Sequence, residues 1–84
     1  MANPQILRDH LDQLHTTALG AMRIRRNLSL DVPDVVAYCQ DKVRKDTCKI
    51  ERKGKNWYCE IDGIRLTIHA NSYTIITAHS VSTL

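Results

Sequence analysis

Asp62-Gly63 stands between two runs of alternating apolar and polar residues, "NWYCEI" and "IRLTIH". No other stretch constrains the fold as tightly. Asp-Gly suits a two-residue hairpin loop, because both central residues of a type I′ turn need positive φ. So short a loop fixes the register. Ile61 must face Ile64, Glu60 must face Arg65, Cys59 Leu66, Tyr58 Thr67, and Trp57 Ile68. Side chains alternate across a strand, so this register sorts them. One face collects Trp57, Cys59, Ile61, Ile64, Leu66 and Ile68; the other collects Tyr58, Glu60, Arg65, Thr67 and His69. The apolar face needs a covering layer, while the polar face can stay wet.

A period-two run, "CKIER", precedes this hairpin and turns at "KGK"; another, "YTIITAH", follows "ANS". The register of the last hairpin stays open. A loop of Ala70, Asn71 and Ser72 puts Tyr73, Ile75, Thr77 and His79 on the polar face. A loop of Asn71 and Ser72 puts Thr74, Ile76 and Ala78 there instead. The three-residue loop is preferred, because Asn tolerates the left-handed conformation it needs. It sets Thr77 beside Arg65, at the expense of leaving Ile75 on the wet face.

Upstream the apolar period is helical. In "NPQILRDHLDQLH", Asn3 can cap and Pro4 can open a helix whose stripe is Leu7, Leu11, Leu14 and Ala18. "TTALGAMRIRRNLSL" gives a second, capped by Thr16 or Thr17, with Leu19, Met22 and Ile24 as apolar contacts. "LDVPDVVAYCQDKVRKD" gives a third, opened at Asp31 or at Pro33-Asp34, with Val32, Val35, Val36, Cys39 and Val43 as its stripe. Its late cations Lys42, Arg44 and Lys45 match the helix dipole. The expected fold class is α+β, a single domain over 1–84. Two or three N-terminal helices (1–45) pack on one face of a three- to four-stranded antiparallel sheet (46–84).

A chain of 84 residues buries only about 60% of its unfolded surface, so its core is modest. Phe is absent, which leaves an aliphatic core with Trp57 as its one large filler. A homodimer through a sheet edge would supplement such a core. No apolar run reaches the roughly 18 residues of a membrane span. The start, "MANPQILRDHLDQLH", has early acids and no apolar h-region, unlike a secretory signal. Cys39, Cys48 and Cys59 make an odd count without CxxC spacing, which suits a reducing compartment and offers no zinc pattern. Two of these thiols are expected to be half-buried. The expectation is a cytoplasmic protein without metal or other cofactor.

The net charge is +3, and its placement matters more than its sum. Arg23, Arg25, Arg26, Lys42, Arg44, Lys45, Lys49, Arg52, Lys53 and Lys55 crowd the middle third, against Asp31, Asp34, Asp41, Asp46 and Glu51. Such a block attracts polyanions, RNA and DNA first among them, although a solvated basic surface looks the same in sequence. The wet sheet face adds Tyr58, Glu60, Arg65, Thr67, His69, Tyr73, Thr77 and His79, with Lys53 and Lys55 at its rim. These are the side-chain types that RNA cleavage without metal uses. Histidine moves protons near neutral pH, a fixed cation offsets phosphorane charge, and tyrosine stacks a base. Phosphate-binding Gly-rich loops, HExxH and the nucleophile elbow are absent, which argues against nucleotide hydrolysis and serine-type chemistry.

"LHTTALGAMRIRRNL", "DVVAYC", "ERKGKNWYCEIDG" and "NSYTIITAH" together resemble the small bacterial family known as domain of unknown function 3781, over roughly Leu14 to His79. The resemblance implies a bacterial or mobile-element origin and transfers no catalytic assignment. The architecture is also similar, more loosely, to the RelE- and barnase-like endoribonuclease toxins.

The functional expectation is a small basic domain that binds RNA, in its sharpest form a metal-independent, toxin-like endoribonuclease. His79, His69 and Arg65 are its catalytic candidates; Lys53, Lys55, Tyr58, Tyr73, Thr77, Arg23, Arg25 and Arg26 are its nucleic-acid contacts. The alternative is a non-enzymatic inhibitor or adaptor that grips another protein, such as a phage-borne anti-defence factor.

Overall fold

The computed structural model describes residues 3–81; Met1, Ala2 and Ser82–Leu84, the ends of the expected 1–84 domain, lie outside it. Three helices pack on one face of a four-stranded antiparallel sheet, an α+β fold. The helices are α1 (Pro4–Arg8), α2 (Ala18–Leu28) and α3 (Val35–Arg44). The strands β1 (Lys49–Lys53), β2 (Asn56–Ile61), β3 (Ile64–His69) and β4 (Ile75–Ser80) form a meander in chain order.

Each helix starts on a side-chain cap. Asn3 Oδ1 accepts from the Gln5 N–H at 2.9 Å, Thr17 Oγ1 from Gly20 at 2.9 Å, and Asp34 Oδ1 from Ala37 at 3.0 Å. These caps satisfy amides that have no partner within the helix. The first helix is shorter than its apolar spacing suggests. It stops at Asp9, and a 3-10 turn follows at Leu11–Gln13. His10 breaks it with φ −118° while its ring bonds the Ile6 carbonyl at 2.7 Å. The break lets Leu7, Leu11 and Leu14 all reach the core, whereas Ala18 stays exposed.

Asp62-Gly63 turns as its sequence requires, with φ of 52° and 76°. Every pair expected of β2 and β3 forms, from Trp57–Ile68 to Ile61–Ile64. Trp57, Cys59, Leu66 and Ile68 are fully buried beneath the helices. Two lysines of the α3 end seal the turn: Asp62 Oδ2 accepts from Lys42 Nζ at 2.6 Å and from Lys45 Nζ at 3.2 Å.

The β3–β4 hairpin corrects the expected alternation. Thr77 and His79 do take the wet face, opposite Thr67 and Arg65, so Thr77 does not face Arg65. The register then slips at Thr67/Ile68, and Ile75 pairs with Ile68. The bulge inserts Ile76, turning Ile75 into the core and leaving Ile76 half exposed. Ile75 therefore never occupies the wet face.

The two sheet edges are treated differently. Along β4, Ile75 N–H donates to the His15 carbonyl at 2.8 Å, Thr16 Oγ1 donates to the Ile75 carbonyl at 3.1 Å, and Asn27 Nδ2 donates to the Ala78 carbonyl at 3.2 Å. Gly20 permits this closeness: a Cβ there would lie 2.2 Å from Thr16 Oγ1. Along β1, among the described residues, no group outside the sheet bonds the backbone of Lys49–Lys53. Charge and shortness guard that edge instead.

Candidate nucleic-acid interface

The open face of the sheet carries a groove of about 290 Å³ lined by Lys49, Glu51, Lys53, Tyr58, Glu60 and Arg65. The alternation of β1, β2 and β3 brings these side chains to one side, with Tyr58 in the middle strand between Glu51 and Thr67. Asn56 Nδ2 donates to the Tyr58 hydroxyl at 3.3 Å and helps orient the half-exposed ring. Arg65 donates to Glu60 Oε2 from Nε, at 3.0 Å, and from Nη2. The guanidinium beside it holds the Glu60 carboxyl below the usual carboxylate range. Lys49 sits 3.7 Å from Glu51. Lys53 has no ion-pair partner among the described residues. Lys55 extends the cationic rim at the β1–β2 turn and is exposed.

The catalytic candidates separate. His79 lies directly across from Arg65, which puts their Cα atoms about 4.5–5.5 Å apart. His69 lies at the other end of β3, opposite Asn56, about 13 Å along the strand from Arg65. Its Nδ1 accepts from the Asn71 and Ser72 N–H groups at 3.2 and 3.4 Å, so its ring closes the β3–β4 turn. Tyr73 leaves the open face altogether. It has φ 59°, and its ring stacks on His10 with centroids 5.2 Å apart. Arg23, Arg25 and Arg26 stand on α2, in a different surface patch. Arg25 is held by the Val32 and Pro33 carbonyls at 3.4 and 3.0 Å.

Sequence reasoning missed one cluster. His15 Nδ1 bonds the Gln13 carbonyl at 3.0 Å, His15 Nε2 meets Thr74 Oγ1 at 3.0 Å, and Thr74 Oγ1 meets Ser72 Oγ at 2.8 Å. A neutral ring that donates Nδ1–H to Gln13 must accept at Nε2. Thr74 then donates to His15 and Ser72 donates to Thr74. The chain pins the β3–β4 turn to a segment 59 residues earlier in sequence. No local signal announces it.

A family model described as protein of unknown function (DUF3781) matches residues 8–79. The chain belongs to this family. No curated protein and no solved structure matches it, so nothing supports the expected likeness to RelE- and barnase-like toxins. The DUF3781 span takes in the groove, the three hairpins up to His79, and Arg8, whose guanidinium donates to the Val43, Lys45 and Cys48 carbonyls and ties α1 to the α3–β1 junction. All three cysteines of this DUF3781 chain are buried, none half-exposed as expected. Burial pushes the Cys39 thiol up to about 12. Cys59 is raised by its hydrogen bond to Cys48, then by burial, and the same bond lowers Cys48. Among the described residues, no three His, Cys, Asp or Glu side chains gather where a metal ion could sit. Nor is any helix there long and apolar enough to cross a membrane.

Proposed function

We propose that the open sheet face binds single-stranded RNA, with Tyr58 as a stacking platform and Lys53 and Lys55 on the phosphates. The observation that carries this is the placement of a half-exposed tyrosine inside a cation-lined groove on the uncovered face of the sheet. Base stacking rewards an aromatic ring whatever the base, and a few lysines supply the backbone term. The groove is only mildly basic, because Glu51 and Glu60 already engage Lys49 and Arg65. Two fully available lysines predict a salt slope of about −1.4, using roughly −0.7 per phosphate for single strands. Binding is therefore modest and salt-sensitive. Fluorescence anisotropy with labelled poly-uridylate at several salt concentrations tests this; no binding at low salt removes the reading.

A cleaving form of the same reading rests on His79 facing Arg65. His79 would take the 2′-hydroxyl proton as that oxygen attacks phosphorus and the P–O5′ bond breaks; Arg65 would offset the developing charge, and the departing 5′-oxygen would take a proton from water, leaving a 2′,3′-cyclic phosphate and a 5′-hydroxyl. Arg65 would first have to share its guanidinium with Glu60. Incubation of total RNA in EDTA with the wild-type chain and with His79→Ala decides it. Intact RNA in both leaves a binding domain.

A further inference from the structure

Leu19, Met22, Arg23 and Arg26 lie at i, i+3, i+4 and i+7 of α2 and so form one stripe. The sequence suggests that Leu19 and Met22 face the core. They do not: Leu19 is 54% and Met22 64% exposed, while Ile24 alone in the helix is fully buried. The helix thus has two apolar sides, and the outer one has no partner within the described residues. Arg25, Arg26 and Leu30 complete a groove of about 570 Å³ along it, and no carboxylate lines that groove. Among the described residues, Arg23 and Arg26 make no ion pair.

We propose that this stripe docks an acidic amphipathic helix of a partner protein, with apolar side chains on Leu19, Met22 and Leu30 and carboxylates on Arg23 and Arg26. Three features select that occupant. An exposed Leu-Met pair gains from an apolar surface, which RNA phosphates do not provide. The unpaired arginines beside it favour carboxylates, which their planar guanidinium can grip in bidentate fashion. An anionic bilayer would need a deeper apolar face than two large side chains on an 11-residue helix packed against β4. Helix-in-groove recognition, anchored at i, i+3, i+4 and i+7, uses both halves of the stripe. The surface shares no residue with the sheet groove, so the inference stands apart from the RNA reading.

The experiment titrates the isotope-labelled full chain with a synthetic helix of about four turns, carrying leucines at i, i+3, i+4 and i+7 and glutamates elsewhere. Amide shifts confined to Ala18–Leu30 are expected. Arg23→Glu/Arg26→Glu should weaken this peptide at least about tenfold and instead accept the same peptide with lysine for glutamate, as charge complementarity requires. Met22→Asp should weaken both. These positions are exposed, and far-UV circular dichroism checks each fold. The wild-type titration decides by itself should a variant unfold. An acidic peptide that moves no α2 resonance overturns the proposal. So does equal binding of the lysine peptide to wild type, or α2 shifts that arise with poly-uridylate or phosphatidylserine vesicles and not with the peptide.

Discussion

The sheet groove and the α2 stripe are both basic, yet their cations are in different states. In the groove, Arg65 donates twice to Glu60 and Lys49 approaches Glu51. On α2, Arg23 and Arg26 face solvent beside leucine and methionine, and no acid lies in their patch. The contrast follows from geometry. Antiparallel pairing sets residues of adjacent strands side by side, so "CEIDGIR" brings its glutamate to its arginine. A helix sets neighbours three and four apart, and α2 holds no acid at any spacing. Basic residues that look like one block in sequence thus serve two surfaces. One mixes signs and can orient a ligand; the other keeps a single sign and attracts at longer range.

The largest effect that would break this picture is structural. Ile24→Ala should cost about 2–5 kcal/mol, the usual toll of emptying a buried aliphatic site. Leu19→Ser or Met22→Ser should stay within about 0.5 kcal/mol of wild type. Urea unfolding of the three variants measures both, and a large loss at Met22 would mean that the stripe belongs to the core. Next in size, Tyr58→Ala should lose about 1–3 kcal/mol of poly-uridylate affinity through stacking, while leaving the acidic peptide on α2 untouched. Anisotropy reads both ligands on one variant.

A smaller change sharpens the electrostatic half. Glu60→Gln releases Arg65, so the salt slope for poly-uridylate should steepen by about 0.7, one more single-strand phosphate contact. An unchanged slope would place Arg65 outside the footprint. The smallest effect is on pH dependence. The cations beside Glu60 and Asp62 hold both carboxyls below their usual range, Arg65 for the first and Lys42 with Lys45 for the second. A depressed folded pKa contributes stability above the unfolded value, about 4, and that share is lost as pH falls through the folded value. Thermal melts should therefore be flat in this contribution between about pH 7 and 5 and decline below about 4. Glu60→Gln/Asp62→Asn should decline less steeply, and identical acid limbs would discard the assignment.

The two hairpins show how far the chain could be read directly. Asp62-Gly63 encodes its own turn, since both residues tolerate the positive φ they adopt and the loop length dictates every pair that follows. "NSYTIITAH" carries no such instruction. Its turn puts Tyr73 at φ 59°, its register is rescued by a bulge, and its hold comes from His15 and Thr16. Contacts across that separation leave no periodic trace, so alternation alone put Ile75 and Tyr73 on the wrong side. Helical spacing likewise told where α2 is apolar but not which apolar side the sheet would take. Ile24 won that contest, and Leu19 and Met22 were left outside. The candidate groove was legible because it sits on the self-encoded hairpin. The distance of His69 from His79 follows from strand position, but the turning of the His69 ring to cap the β3–β4 loop was not legible.

Thr16 and Asn27 have a consequence beyond local order. By occupying the Ile75 and Ala78 carbonyls of β4, they take acceptors that an incoming strand would need on that flank, whereas among the described residues only charge and shortness protect the lysine-bearing one. Growth by strand addition needs two available flanks per unit. A unit with one could join a single counterpart and would then have nothing left to offer, so any strand addition through this sheet would stop at a pair.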